Sequence, residues 1–281
     1  MKSNDTNDLD ALIAPALRPA SDSQALRERL LQRAADSRTR HQEFATVRRQ
    51  ATPWRELMKG LRGRDLRITE EGTSVLLALA PGTVLPMHRH RYLEEGIVLS
   101  GRMQMGALDL GPGDYHVSFP GSRHDRITSA EGCVTYLRGT SLGSLFGLAV
   151  ELLGGLTPGA GTAPLTVREL DGDWRLLADG VVEKRLWQAD ESLSRFVRLA
   201  PGSRYFPGVY NRECEFMMVN GEAFFGDILL LQEELHVAPV GTQHPEISSD
   251  CGATFFVHEK VGELLAARLS LPMAASKHFD S

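Results

Sequence analysis

The sequence predicts an all-β chain: two tandem antiparallel β-barrels, with short helices at the N- and C-terminal ends. Three observations carry that expectation. The chain repeats itself at an offset of 120 residues without a gap. Each copy is built of short apolar runs punctuated by glycine and proline. Helical periodicity is strongest in the flanks outside the repeat.

The repeat is read first, because self-similarity at a fixed period decides the architecture. WRELMKG from Trp54, LAPG from Leu79 and HVSFPGSRH from His116 return as WRLLADG from Trp174, LAPG from Leu199 and HVAPVGTQH from His236. Trp54–Arg138 set against Trp174–His258 gives 22 identities in 85 positions. Within each copy, runs such as SVLLALAPG, EEGIVLSG and CVTYLRG are short, rich in β-branched and aromatic residues, and closed by turn residues. That pattern belongs to the strands of an antiparallel sandwich or barrel.

The flanks and the junction read differently. Residues 21–36 (SDSQALRERLLQRAAD) form an amphipathic helix, with Ser21 and Gln24 as a capping box and Leu26, Leu30 and Ala34 along one face. A C-terminal helix is expected around Val261–Leu271, and residues 1–12 are expected to be mobile. Between the copies, SLFGLAVELLGGL reads as an apolar helix packing on a barrel, and TPGAGTAP as a flexible linker. The expected divisions are therefore 1–45 (mobile and helical), 46–143 (first barrel), 144–165 (linker), 166–260 (second barrel) and 261–281 (helix and tail).

Composition narrows the classes. Hydrophobic residues at 42% and charged residues at 24% are globular values. A net charge of -5 offers no basic face for a phosphate backbone, so direct nucleic-acid binding is not expected. Cys133, Cys214 and Cys251 are odd in number and show no CxxC spacing, which points to reduced thiols. The N-terminus lacks the charged and apolar regions of a signal peptide, and the most apolar stretch, Ser141–Leu156, is too short for a bilayer. A cytoplasmic protein without membrane association is the expectation.

Chemistry concentrates in one segment of the first copy, Gly82-x5-His88-x-His90-x3-Glu94-x6-Gly101. Side chains alternate along a strand, so His88 and His90 share a face and Glu94 can join them, while Glu95 points away. A later turn, Pro120-Gly121-x2-His124, can return a third imidazole. Three imidazoles and a carboxylate suit a divalent ion such as Fe, Mn, Ni or Zn, with open positions if it is five- or six-coordinate. At the same offset His88 becomes Gly208, His90 Tyr210 and Glu94 Cys214, and His124 alone keeps a counterpart, His244. The second barrel is expected to be filled, or lined for a small molecule, without a metal. The other reading is a site of Cys214 and His244 helped by Glu213 or Glu215. Trp54/Trp174, Glu95/Glu215 and His116/His236 recur in both copies and are assigned to the fold: the tryptophans to barrel-edge packing, the histidines to hydrogen bonding at strand ends. Tyr92, Met103, Met105 and Tyr115 have two readings, lining of the first pocket and ordinary core packing, and the second is the expectation for each.

The spacing of these residues, with Pro120-Gly121-x2-His124 following, resembles the two cupin motifs, and more narrowly the ChrR-type cupin of zinc-dependent anti-sigma factors. The resemblance covers about residues 25–140, and the second copy more loosely. It implies small jelly-roll-like barrels, and one divalent metal ion, zinc or iron first and manganese or nickel next, held by His88, His90, Glu94 and His124. It also implies a regulatory or sensor protein that answers a small molecule or an oxidant and has a sigma factor or another regulator as partner. The His and C-x2-C cluster of the sigma-binding zinc module has no counterpart here. The alternative implied is a cupin dioxygenase of the type that cleaves β-dicarbonyl compounds with iron, or another cupin enzyme. Barrel edges need covering, so a homodimer is the expected assembly. Pairing of the two barrels within one chain would cover the same edges in a monomer.

Overall fold

The computed structural model describes residues 23–142, 145–156, 161–189, 192–208 and 213–260. The expected mobile residues 1–12 and the expected helix at Val261–Leu271 lie outside them. The N-terminal unit contributes helix α1, Ser23–His41, whose last turn carries Arg38, Arg40 and His41 beside its carbonyl ends.

The rest is two antiparallel barrels. In the first, one sheet runs, in spatial order, Leu165–Val167, Tyr115–Ser118, Glu94–Gly101, Cys133–Thr140, Gly72–Leu79, Leu61–Thr69 and Arg55–Met58. Facing it are Thr83–Leu85, Ile127–Ser129, Met103–Met105 and Leu108–Leu110, and a short pair of His88–Arg89 with Arg123–His124. The second barrel repeats the plan 120 residues on, from Arg175–Ala178 to Ala253–Lys260. The apolar linker segment is indeed helical, as α2, Leu145–Gly154.

The structure adds an exchange of strands. Ala45–Val47, which precedes the first barrel, pairs with Leu235–Val237 of the second. Leu165–Val167, which precedes the second barrel, pairs with Tyr115–Val117 of the first. The repeat thus reaches further back than Trp54, to Thr-Val-Arg at 46–48 and 166–168. Each threonine meets a histidine of the other barrel, Thr46 Oγ1 at 2.9 Å from His236 Nδ1 and Thr166 Oγ1 at 2.9 Å from His116 Nδ1. Each arginine then donates to a carbonyl and a carboxylate there: Arg48 to Leu229 and Glu234, Arg168 to Asp109 and Asp114.

The barrels meet across a core in which every contributor has its counterpart at the 120-residue offset. Leu66, Leu76, Ile97, Leu99, Tyr115, Val117 and Tyr136 face Leu186, Phe196, Met217, Val219, Leu235, Val237 and Phe256. This is the arrangement of a two-fold dimer, one patch used twice, within a single chain. Trp54 and Trp174 pack at its margin, under the guanidinium groups of Arg64 (4.6 Å to the ring centroid) and Arg198 (4.1 Å).

Charges are buried in the same interface, and they are paired, as burial requires. Glu95 accepts from Tyr115 Oη at 2.7 Å and pairs with Arg138 (3.3 Å) and His258 (3.0 Å). Its counterpart Glu215 accepts from Ser74 Oγ (2.8 Å), Tyr136 and Arg67 (3.1 Å). Glu95 therefore does turn away from the His88 face, into the contact between the barrels. Burial would raise both carboxyls. For Glu95, His258 and Arg138 reverse that and hold it down at about 2. For Glu215, Arg138, Tyr136 and Ser74 likewise bring it below the ordinary value. Among the described residues no helix is long and apolar enough to cross a membrane.

Candidate metal centre

Three elements converge inside the first barrel. The short strand His88–Arg89 and the residue after it bring two buried imidazoles together, with ring centroids 5.1 Å apart. The strand Glu94–Gly101 opens on buried Glu94, whose Oε1 lies 3.6 Å from His90 Nδ1. Helix α2 supplies the third. Its one charged residue, Glu151, is 2% exposed. Ligand atoms of His88, His90 and Glu151 lie within 4.8 Å of one another. That approaches the separation of donors that share an ion at about 2.0–2.2 Å each.

Glu94 stands beside this trio and lines the adjoining cavity together with His88 and His116. The backbone register sets His124 directly opposite His88. Its side chain lies outside the described residues. Met103 and Met105 belong to the core, as expected, and also line the cavity. Tyr115 lies in the inter-barrel core.

The electrostatics favour a cation. His90 is lowered to about 3 by burial and by neighbouring His88 and His116, so its ring is neutral near pH 7, the form that ligates metals. His88 Nδ1 lies 3.0 Å from the carbonyl of Pro86. A carbonyl only accepts, so Nδ1 carries the proton and Nε2 the lone pair, the outer-shell contact that orients ligating imidazoles. Burial raises Glu94. Burial, and then Glu94 itself, raise Glu151 to about 8. Oε2 of each carboxylate is buried and accepts no hydrogen bond. Two imidazoles and two crowded carboxylates with unused oxygens fit a divalent ion, which would satisfy both.

The cavity is small, about 30 Å³, room for a water-sized group or two, and it is walled by Leu77, Gly96, Met105 and Thr135 among others. The matching positions of the second barrel carry larger side chains. Gly96, Met105 and Thr135 correspond to Phe216, Phe225 and Phe255, which are buried together in its core. Phe216, Phe44 and Phe225 close on the ring of His244 at 4.7, 5.4 and 5.7 Å. Cys214 Sγ lies 3.7 Å from Glu259, and burial followed by that carboxylate raises the thiol well above its usual range. Glu213 pairs with Arg67 at 2.6 Å and Glu215 is taken by the inter-barrel cluster. Gly208 is described; Tyr210 is not.

Sequence reasoning did not place Glu151 at the centre. The available signal was a lone charge in an otherwise apolar run, LFGLAVELLG, which a buried helix tolerates only when the charge has a partner. It also did not place His116 against the cavity. Because His116 recurs as His236, it reads as a fold residue, and its bond to Thr166 agrees with that.

Residues 42–142 match the family of ChrR cupin-like domains. Among solved structures the chain is similar to a candidate dioxygenase from Nostoc punctiforme, with 14% identity over 79% of this chain and 84% of that one and a TM-score of 0.59. It is similar to Lactobacillus farciminis oxalate decarboxylase in a formate complex (14% identity, 80% and 90%, TM-score 0.55). It is also similar to the Escherichia coli pirin YhhW in complex with nickel(II) (8% identity, 77% and 98%, TM-score 0.55). No curated protein matches the sequence. The chain thus shares the two-barrel fold of these structures, and its residues 42–142 match the ChrR cupin-like domain family.

Proposed function

We propose that the chain is a metal-binding regulatory bicupin. The first barrel holds one divalent ion through His88, His90, Glu94 and His124, and receives a small molecule or oxidant beside it. The second barrel is its structural partner. One contrast carries this reading: the interior positions that leave a cavity beside His88 and Glu94 are filled by phenylalanines in the other copy. The first barrel thus keeps a donor-lined interior at positions that the second fills with aromatic rings. Zinc or iron suits the imidazole–carboxylate set best. The likeness of residues 42–142 to ChrR cupin-like domains favours a regulatory role, with a sigma factor or another regulator as the partner.

A second reading, a metal-dependent enzyme, is supported by two carboxylates in one site. A bound ion would supply Lewis acidity to a small substrate. One carboxylate would be left to hold or move a proton at its unused Oε2.

Metal analysis of freshly prepared protein, beside a His88→Ala/His90→Ala variant, tests the centre. Near-stoichiometric metal in the parent and loss in the variant are expected, and equal metal in both would refute these ligands. Oxygen uptake by the iron-loaded protein across diketones and thiols then separates the readings. Turnover would favour the enzyme. A change in fluorescence or melting on ligand addition without turnover would favour the sensor.

A further inference from the structure

We propose that Glu151 is itself a ligand of the metal centre, and that metal binding thereby fastens the inter-barrel helix α2 to the strand that carries His88. The inference rests on the first barrel binding a metal, as argued above. Glu151 comes from the linker between the copies, outside the repeat, and none of the residues read as ligands from spacing lies there. Its ligand atom shares the 4.8 Å cluster with those of His88 and His90, and Glu94 Oε1 stands 3.6 Å from His90 Nδ1 beside them. Backbone N–H groups of Arg91 and Ser141 lie against the Glu151 carboxylate and hold it in place. Its Oε2 stays buried without a hydrogen bond.

The end of the helix is fitted to deliver this side chain. Gly155, just past α2, leaves no room for a Cβ: one built there would stand 2.3 Å from the Met87 carbonyl oxygen and 3.0 Å from His88 Cα. At Gly154 a Cβ would meet that of Arg89 at 3.2 Å. Arg123, beside His124 in the partner strand, donates to the Gly155 carbonyl at 3.2 Å and supplies the positive charge that the last turn of α2 lacks. The linker is thus seated on both short strands of the site. A helix seated in this way, with a buried carboxylate aimed at two imidazoles, is held more tightly when an ion joins the three.

The test compares the full-length parent with Glu151→Gln and Gly155→Ala, by cobalt(II) titration against a competing chelator and by hydrogen exchange of residues 145–154 with and without metal. Expected are weaker cobalt binding in Glu151→Gln, by roughly 10–100-fold, an altered cobalt absorption spectrum, and metal-induced protection of 145–154 in the parent alone. Gly155→Ala, which displaces the helix end but keeps the carboxylate, should lose affinity and protection in the same direction. Parent-like affinity, spectrum and metal-induced protection in Glu151→Gln would overturn the assignment while leaving the metal centre intact. Absence of cobalt binding by the parent would overturn the underlying reading as well. Since Gln removes a buried carboxylate, the metal-free variant should melt no lower than the parent, which separates ligand loss from misfolding.

Discussion

At Gly96 and Thr135 the first barrel keeps its interior small, and 120 residues on stand Phe216 and Phe255. A phenylalanine ring at those positions is large enough to fill a space of the size seen beside Glu94. Thr135 is buried and lines that space, with its hydroxyl only weakly engaged, 3.5 Å from the Leu77 carbonyl oxygen. Thr135→Phe should therefore import the packing of the second barrel. The expected cost is about 1–3 kcal/mol, seen in thermal melts, because a ring enters an already dense wall. Azide binding to the cobalt-loaded variant should weaken by at least roughly tenfold, equivalent to about 1.4 kcal/mol, while cobalt itself still binds. Undiminished azide binding would show that the cavity is not the route to the ion. At this scale the His-x-His-x3-Glu spacing was legible, because strand alternation is local. The approach of Glu151 was not, because which face a helix buries is decided by what it packs on.

Among the elements, the exchanged strands show how a sequence signal can be present and still too short to interpret. Thr-Val-Arg at 46–48 and 166–168 is a three-residue identity lying ahead of the longer repeat, and nothing in it says that each copy serves the other barrel. The barrels themselves were legible because strand length, alternation and turn glycines are all short-range. The exchange follows from pairings between residues 190 and 50 positions apart in the chain. It also makes two nearly equal bonds with unequal consequences. His116, held by Thr166, borders the cavity. His236, held by Thr46, lies among Phe44, Phe216 and Phe225 in the filled barrel. Thr46→Ala and Thr166→Ala should each cost about 1 kcal/mol of stability, the worth of one such bond. Only Thr166→Ala should alter the absorption of the cobalt-loaded protein. Equal spectra would show that His116 does not touch the properties of the site.

On the scale of the whole molecule, the joint between the barrels combines an apolar patch used twice with a buried network of ions, and the two should respond differently to acid. The apolar pairs are indifferent to pH. Glu95 and Glu215 are not, since Arg138, His258 and their hydroxyl partners hold both carboxyls below the ordinary carboxylate value, Glu95 at about 2. A group whose pKa is lower folded than unfolded adds stability above the unfolded value and loses it as pH falls through the folded one. The parent should therefore melt progressively earlier from about pH 4.5 toward pH 2, Glu95 alone accounting for on the order of 3 kcal/mol across that window. Glu95→Gln should be less stable than the parent at pH 7, because Arg138 and His258 lose the charge they face. It should also show a shallower decline in acid, so that the two melting curves converge as the pH approaches 2. Melting temperatures taken every half unit from pH 7 to pH 2.5 would check this. Parallel curves would mean that the buried carboxylates do not set the acid stability of the joint.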